Sequence, residues 1–484
     1  MSGTTNRLLI RASDATSWVM CIRRAWFDKH QPITEAKPDA FMQFLFEAGL
    51  AHEASILKRL SEQYLVCRAN SAEHTLELME QGAQIIYQGR LVDSEMHLIG
   101  YPDFLIRDDN GQYQAADVKL SLSENKKTTQ IQLGVYRRLL KNDLPAIVYL
   151  GDNRIAQLTG DDVDVSVDQF LVSMKQLITD AQPPTVRYSY SRCETCPYIN
   201  RCLPEFVRKE ETSLLYGVDG NMADQLAQID ISTISQLAKS DAAFIPDLPH
   251  LRNERKKTKA IVQAQSYLTG KVFQLGPIDL PEGIWIHFDI EDDPMTNSRV
   301  RHVYLWGFLV PSYTKTSFEY VWSDNESSDY QGWISFLQKI EDYRQRYTSI
   351  VIAHYSNHEK ATIKKYAQRY AMENDKTVAW LLGDESPLYD LQKPILNSLI
   401  LPIPRYGLKD ICKNPNLVNF QWENDESGSQ WSVVQFKKFQ SEGDLTIKNA
   451  IKETILSYNR DDVTATRKLE MWLRELSQRN NFID

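Results

Sequence analysis

Apolar and polar positions alternate most cleanly along Ile284-Trp-Ile-His-Phe-Asp-Ile-Glu291, with Ile284, Ile286, Phe288 and Ile290 on one side and Asp289 and Glu291 on the other. Alternation of that period predicts a half-buried strand. Residues 301–309 and 318–322 read as its sheet partners. A helix then precedes a strand at Ile350-Val-Ile-Ala-His354, and Glu359 falls at the start of the next helix. Near the far end, Tyr458 and Asp462 stand at i, i+4 on one helix face, with Trp472 and Leu476 continuing inward.

An earlier region shows a hairpin. Asp108-Asp109-Asn110-Gly111 is a turn signal between residues 97–106 and 112–120. A helix bearing Gly49, His52 and Glu53 precedes it. An amphipathic helix opening at Thr128 follows, with Gln132 and Tyr136 on one face and Ile131, Val135 and Leu139 as the adjoining apolar stripe. The chain therefore reads as α/β in three parts: a mixed unit at 1–208, a mostly helical stretch at 209–280, and a second mixed unit at 281–484. Within the middle part, Met222–Leu226 and Ile231–Ala238 read either as a plain helical linker or as a helix-hairpin-helix module without its hairpin glycines.

Composition narrows the class. With 484 residues, 42% hydrophobic and 25% charged, the chain has the make-up of a soluble globular protein with two or three domains. No apolar run reaches the length of a membrane span, and the first residues lack the apolar core of a secretory signal. A cytoplasmic location is expected, where clustered cysteines serve as metal ligands rather than disulfides. The net charge of −9 excludes a protein that coats nucleic acid by bulk attraction. Local basic runs at Arg23-Arg24, Lys126-Lys127, Arg137-Arg138 and Arg255-Lys256-Lys257 read as solvated faces. No G-x-x-x-x-G-K-[ST] loop occurs, so any unwinding motor would be a separate chain.

Candidate chemistry falls in three places. Cys21 stands far from a C-x2-C-x5-C run at Cys193, Cys196 and Cys202, and four such thiolates suit either zinc or an iron–sulfur cluster. Cys67 and Cys412 lack a partner pattern and are expected as buried apolar thiols. A hairpin centred on Asn110 sets Asp103 opposite Asp117, a pairing of like charges that costs up to about 1 kcal/mol. Mg²⁺ or Mn²⁺, which prefer oxygen ligands, would remove that cost. Strand alternation puts Asp117 and Lys119 on one face, with Val118 toward the core. Lys119 can then orient or deprotonate an attacking water. The third place is Asp289 and Glu291, two acids at i, i+2 on a strand.

These elements carry two resemblances. Residues 1–205 resemble the RecB-family nucleases of the PD-(D/E)xK superfamily, in the four-cysteine branch of CRISPR-associated exonucleases and recombination helicase–nucleases. Gly49/His52, Asp103, Asp117/Lys119 and Gln132/Tyr136 take the places of that family's motifs in order. The resemblance implies that His52, Asp103 and Asp117 hold a catalytic metal and that Lys119 acts on water. It also implies that Gln132 and Tyr136 contact substrate and that Cys21, Cys193, Cys196 and Cys202 hold a structural [4Fe–4S] cluster. The last part resembles DEDD exonucleases with a catalytic tyrosine, on the ribonuclease-H-like fold. That implies metal ligands at Asp289, Glu291, Glu359 and Asp462 and a catalytic Tyr458, with Asp390 a supporting acid and Asp461 at the surface. Glu359 stands where the family has Asp. Tyr406-Gly-Leu-Lys-Asp410 also matches that branch. The expectation is a restriction-endonuclease-like domain, a helical linker and a ribonuclease-H-like domain, forming a metal-dependent nuclease. Its expected substrate is DNA with single-stranded ends, with a helicase or other protein as a partner in trans. The alternative is a nucleic-acid-binding scaffold or complex subunit with one or both domains inactive.

Overall fold

Side-chain alternation builds two main sheets, one in each of the compact units Met1–Glu205 and Phe206–Asp484. The computed structural model describes residues 9–33, 40–294, 300–311, 316–423 and 429–478. Among them no helix is long and apolar enough to cross a membrane. The residues expected as a linker, 209–280, fall within the second unit.

In the first unit, short helices α1 (Asp14–Met20) and α2 (Ile22–His30) precede the long α3 (Ala40–Ser61). A six-stranded sheet then runs β1 (Val66–Arg68), β2 (Ile85–Tyr87), β3 (Phe104–Arg107), β4 (Tyr113–Val118), β5 (Ala146–Tyr149) and β6 (Ile155–Leu158), in that spatial order. Helix α4 (Lys127–Leu140) crosses over between β4 and β5, which pair in parallel, and α5 (Gly160–Thr179) follows β6. Period two decides which core each residue enters. Tyr113, Ala115, Ala146 and Val148 join Ile131, Val135 and Phe170 on the α4/α5 side. Phe104, Ala116, Ile147 and Tyr149 join Ile56 and Leu60 of α3 on the other. The hairpin closes as expected: Asp108 Oδ1 accepts the N–H groups of Asn110 and Gln112, and Gly111 takes the left-handed conformation.

In the second unit the sheet order is β9 (Thr316–Trp322), β8 (His302–Pro311), β7 (Ile284–Asp293), β10 (Ile350–His354) and β11 (Leu388–Asp390). β7, β8 and β9 form an antiparallel meander, whereas β10 and β11 add in parallel. Ile286, Phe288 and Ile290 pack with Trp306, Phe308, Trp333 and Phe336 on one face, which α7 (Asp329–Arg346) and α8 (His358–Arg369) cover. The opposite face meets α9 (Leu408–Lys413) and the 33-residue α10 (Leu445–Ser477), whose first turn is capped by Asp444. A bulge in β8, opposite Glu291 and Asp292, shifts its register on β7. Before the helices of this sheet lies α6 (Glu254–Thr269), capped by Asn253 and closed by Gly270. It joins the sheet domain through Lys259 Nζ, which donates to Leu396 O at 2.9 Å, and Gln263 Nε2, which donates to Leu401 O at 2.8 Å.

Asp329, 1% exposed, ties β8, α7 and α8 together. Its Oδ1 lies 2.6 Å from His302 Nδ1 and accepts from Tyr366 OH at 2.6 Å; its Oδ2 accepts from Tyr370 OH at 2.6 Å and faces Arg369 at 3.0 Å. Burial alone would push this carboxyl upward, yet the bonds from His302, Tyr366 and Tyr370 hold it below the usual range. Stability from such a group is present at neutral pH and is lost as pH falls through the lowered value. Asp329→Ala leaves buried donors without an acceptor and is expected to cost about 3–5 kcal/mol in urea unfolding, with the deficit shrinking in acid. A loss under 1 kcal/mol would show that the hub is not structural.

Candidate active sites

The first site grows from the end of the β3–β4 hairpin. The register pairs Phe104 with Ala116, and one step further sets Asp103 beside Asp117. Asp103 N donates to Asp117 Oδ1 at 3.3 Å, and Val118 N donates to Asp103 Oδ2 at 2.7 Å. Asp117 is 1% exposed on the α4 side, while Val118 packs on the α3 side with Phe104 and Tyr149. Lys119 Nζ lies 2.7 Å from Asp117 Oδ2 and donates to Gln132 Oε1 at 3.1 Å. Gln132 Nε2 donates to Tyr136 OH at 2.8 Å, and that hydroxyl donates to Tyr101 O at 3.1 Å. Gly100 makes room for this relay, since a Cβ there would stand 2.6 Å from the Tyr136 ring.

Burial, then the charge of Asp117, pushes the Asp103 carboxyl up to about 8. Burial works against the Lys119 ammonium, but Asp117, with Asp103 and Glu53 behind it, overcomes that and raises its pKa. Asp117 Oδ2 is buried and receives no well-formed hydrogen bond despite the nearby lysine. A paired carboxylate site with one oxygen unsatisfied suits a hard divalent cation.

His52 is placed differently from expectation. Its Nε2 lies 3.1 Å from Leu150 O, and it does not group with Asp103 and Asp117 within 4.8 Å. Its neighbour Glu53 instead acts electrostatically on Asp103 and Lys119, and Gln88 Nε2 holds Glu53 Oε1 at 3.3 Å. Gly49, which meets Leu120 next to Lys119, shares a helix face with His52 at i+3 and with Glu53 at i+4, so the helical period alone does not separate the two.

Cys21, Cys193, Cys196 and Cys202 are free, half-buried thiols. Burial raises Cys193, and the charges of Cys21, Cys196 and Cys202 raise it further, so the two distant segments do meet. No three of these sulfurs lie within 4.8 Å of one another. Arg23 hydrogen-bonds Cys202, and the charge of Arg24 acts on Cys196. Direct bonds join the same segments: Arg23 NH1 to Glu205 Oε2 at 2.8 Å, Arg23 Nε to Pro184 O at 2.8 Å, and Tyr198 OH to Asp28 Oδ1 at 2.6 Å. Cys412 is buried as expected, whereas Cys67 is only half-buried.

The second site lies on the face of β7 opposite its aromatic core. Helix α10 brings Tyr458, Asn459 and Asp462 over Asp289 and Glu291. Ligand atoms of Asp289, Glu291 and Asp462 lie within 4.8 Å of one another. Asn459 Nδ2 donates to Asp289 Oδ2 at 2.7 Å, and Trp422 Nε1 to Asp462 Oδ1 at 2.7 Å. Gly307, paired with Asp289 across the sheet, permits this approach: a Cβ there would stand 1.7 Å from Asn459 Oδ1. Lys409 on α9 donates to Tyr458 OH at 2.9 Å, and its Nζ lies 4.5 Å from that ring's centroid. Lys409 lies within the Tyr406–Asp410 run, whose residue pattern by itself assigns it no role.

Mutual repulsion is written into the titration of this group. Burial, then Asp462, Glu291 and Glu359, pushes Asp289 well up. Burial and Asp462 push Glu291 up to about 8. Burial pushes Asp462 to about 6, with Lys409 and Trp422 pulling the other way. The Tyr458 phenol is also driven far up, first by burial and then by Asp462. Three crowded carboxylates offer the oxygen donors that Mg²⁺ or Mn²⁺ prefers. Glu359, 4% exposed, stays outside the group of three, with Oε2 3.2 Å from His354 Nδ1. Asp390 holds a turn, accepting the N–H groups of Ser356 and Gln392 at 2.9 Å each. Asp461, partly exposed, accepts Glu423 N at 2.9 Å.

Residues 10–203 match the family model of the PD-(D/E)XK nuclease superfamily, and residues 286–474 match that of the RNase_H superfamily. The chain thus carries an N-terminal PD-(D/E)XK domain and a C-terminal RNase H-like domain. Together the two support a metal-dependent nuclease. No curated protein matches the chain significantly. A solved structure described as "Crystal structure of SSO0001" is similar at 14% identity and a TM-score of 0.20, over 40% of this chain and 84% of that one. That likeness is too slight to fix fold or ligand.

The raised carboxyls have a consequence for stability. A carboxyl whose folded pKa exceeds its unfolded value of about 4 stabilises fully below that value and loses the contribution as pH rises through the folded one. In EDTA, melting temperature is therefore expected to fall between about pH 5 and about pH 8, and Mg²⁺ or Mn²⁺ is expected to stabilise most at the alkaline end. Differential scanning calorimetry with and without metal checks this. A metal effect independent of pH would count against it.

Proposed function

We propose that the chain is an exonuclease with two hydrolytic centres, acting on DNA with single-stranded ends in the cytoplasm, with any helicase supplied by a partner. The observation that carries this reading is the buried triad of Asp289, Glu291 and Asp462 with Tyr458 and Lys409 beside it. Asp289, Glu291 and Asp462 would hold the cation of the second centre; Asp103 and Asp117, with Glu53 or His52, that of the first. When bound, the cation supplies activation of water and neutralisation of phosphate charge.

The remaining work belongs to the side chains. Tyr458, kept protonated by burial and by Asp462 and oriented by Lys409, presents a hydroxyl that positions the attacking water, as in DEDD enzymes of the tyrosine type. Lys409 places a positive charge where the phosphate becomes more negative. Lys119, held as ammonium by Asp117, suits the same stabilising role rather than that of a base. Gln132 and Tyr136 fix the Lys119 amine in direction. His354 engages Glu359, which favours a single tightly held cation in the second centre over the usual pair.

Labelled single-stranded DNA in Mn²⁺ tests the assignment. Asp289→Ala and Lys119→Ala are each expected to lower the cleavage at their own centre by roughly 10²-fold or more, and Lys409→Met by a smaller factor with KM nearly unchanged. Free-ended strands compared with end-blocked strands or closed circles separate exonuclease from endonuclease action. Binding without cleavage by the wild type would replace this reading with that of a scaffold.

The four cysteines fit the iron–sulfur branch of RecB-type nucleases. Four thiolates match the ligand number of a [4Fe–4S] cluster as well as of zinc, and the likeness to that branch favours the cluster. Protein purified without oxygen is expected to be brown, and Cys193→Ala to lose that absorbance. Since Arg23–Glu205 and Tyr198–Asp28 also hold the segment, the variant is expected to melt several degrees lower yet remain folded. A colourless wild type containing zinc would overturn the cluster.

A further inference from the structure

The second unit contains a cleft of about 320 Å³ that neither nuclease centre uses. It lies between α6, the residues around Tyr216, and a short two-stranded ribbon in which Leu399 and Ile400 pair with Gln274 and Phe273. Its size is at the lower end of the roughly 300–1,000 Å³ of small-molecule clefts. One wall is aromatic and fixed. Tyr216 stacks on Tyr406 with centroids 3.9 Å apart and planes 8° from parallel. The Tyr406 hydroxyl accepts Leu401 N at 2.6 Å and donates to Gln263 Oε1 at 2.8 Å. An aromatic face immobilised in this way can receive a flat ring without further loss of side-chain freedom.

The facing wall is basic. Lys256 and Lys259 of α6 line the cleft, and among the described residues neither forms a salt bridge. Lys257 between them differs, pairing with Asp247 at 2.7 Å outside the lining. Lys259 is half-buried and gives one N–H to Leu396 O at 2.9 Å, which leaves two of its three donors for a ligand. Burial, then the charge of Arg255, presses its ammonium downward, a cost that a bound anion would relieve. His250 adds a further ring nitrogen. The single acid in the lining, Asp219, is exposed and engaged at a helix start, accepting Met222 N at 2.8 Å.

We infer that this cleft binds a nucleoside monophosphate unit, its base on Tyr216 and its phosphate between Lys256 and Lys259. The same chemistry arises from a free mononucleotide or from the terminal residue of a nucleic-acid strand. The inference goes beyond the proposed hydrolysis, and its test needs neither nuclease centre to function.

Calorimetric titration of the full chain in EDTA provides that test, with deoxyadenosine monophosphate, inorganic phosphate, and a short oligothymidylate with and without a 5′ phosphate. The mononucleotide is expected to bind, and more tightly than phosphate alone. Lys256→Glu, a change at an exposed position, should weaken it at least tenfold, and Tyr216→Ala should remove the advantage over phosphate. If the same variants weaken the phosphorylated oligonucleotide equally, the ligand is a strand end; if they leave it unchanged, the ligand is a free nucleotide. No binding of the mononucleotide by the wild type, or binding indifferent to Lys256→Glu in a variant that melts normally, would overturn the inference.

Discussion

Carboxylates brought together out of water repel one another, and both halves of this chain are arranged around that repulsion. In the first unit, two acids meet at the mouth of a hairpin because the turn fixes their register. In the second, a strand supplies two acids and a helix laid across it a third. Neither group would assemble for its own sake. The surrounding donors (Val118 N, Lys119, Asn459, Trp422 and Lys409) lessen the penalty without removing it, as the elevated titration of Asp103, Glu291 and Asp462 shows. A site that remains electrostatically unfinished is one whose remaining stabilisation comes from outside the chain.

How much of this was legible in the residues follows from the range of each interaction. The hairpin turn and the alternation of β7 are local, so Asp103 facing Asp117 and Asp289 beside Glu291 followed from spacing alone. The i, i+4 relation of Gln132 and Tyr136 was equally local, and in the structure the pair reaches Lys119. What escaped were contacts between distant segments. Lys409 reaches Tyr458 across 49 residues, and Trp422 reaches Asp462 across 40. His52 is expected as a ligand from the Gly49/His52 match to the nuclease family, and spacing could not rank it against Glu53, since both share the face of Gly49. Asp390 is expected as a supporting acid, but its Oδ1 accepts two backbone N–H groups that no side-chain pattern reveals.

The helical stretch 209–280 shows how tertiary context redefines a segment that reads as a connector. Its short helices Gly220–Ala227 and Ile234–Ala238 are well capped, by Asp219 and by the Thr233/Gln236 box. The following α6 is held to the sheet domain by Gln263 and Lys259. The stretch thus contributes a wall to the second unit, and its basic run Arg255-Lys256-Lys257 divides its labour between an ion pair and an open cleft.

The irregularity opposite Glu291 and Asp292 lies in β8: Glu291 pairs with Leu305 and Asp292 with Val303, so Tyr304 is the extra residue and β7 runs on unbroken. Beyond Glu291 the strand continues with Asp292 and Asp293, and these two are tied elsewhere: Asp292 to Arg301 at 3.1 Å and His358 at 3.2 Å, Asp293 to Lys437. The four neighbouring acids of β7 thereby divide into a pair that is left for chemistry and a pair that is neutralised. Loss or gain of a single codon in β7 would turn Asp289 and Glu291 toward the aromatic face. The segment is thus open to substitution by point changes but closed to change in length, a boundary on how this half of the chain can diverge.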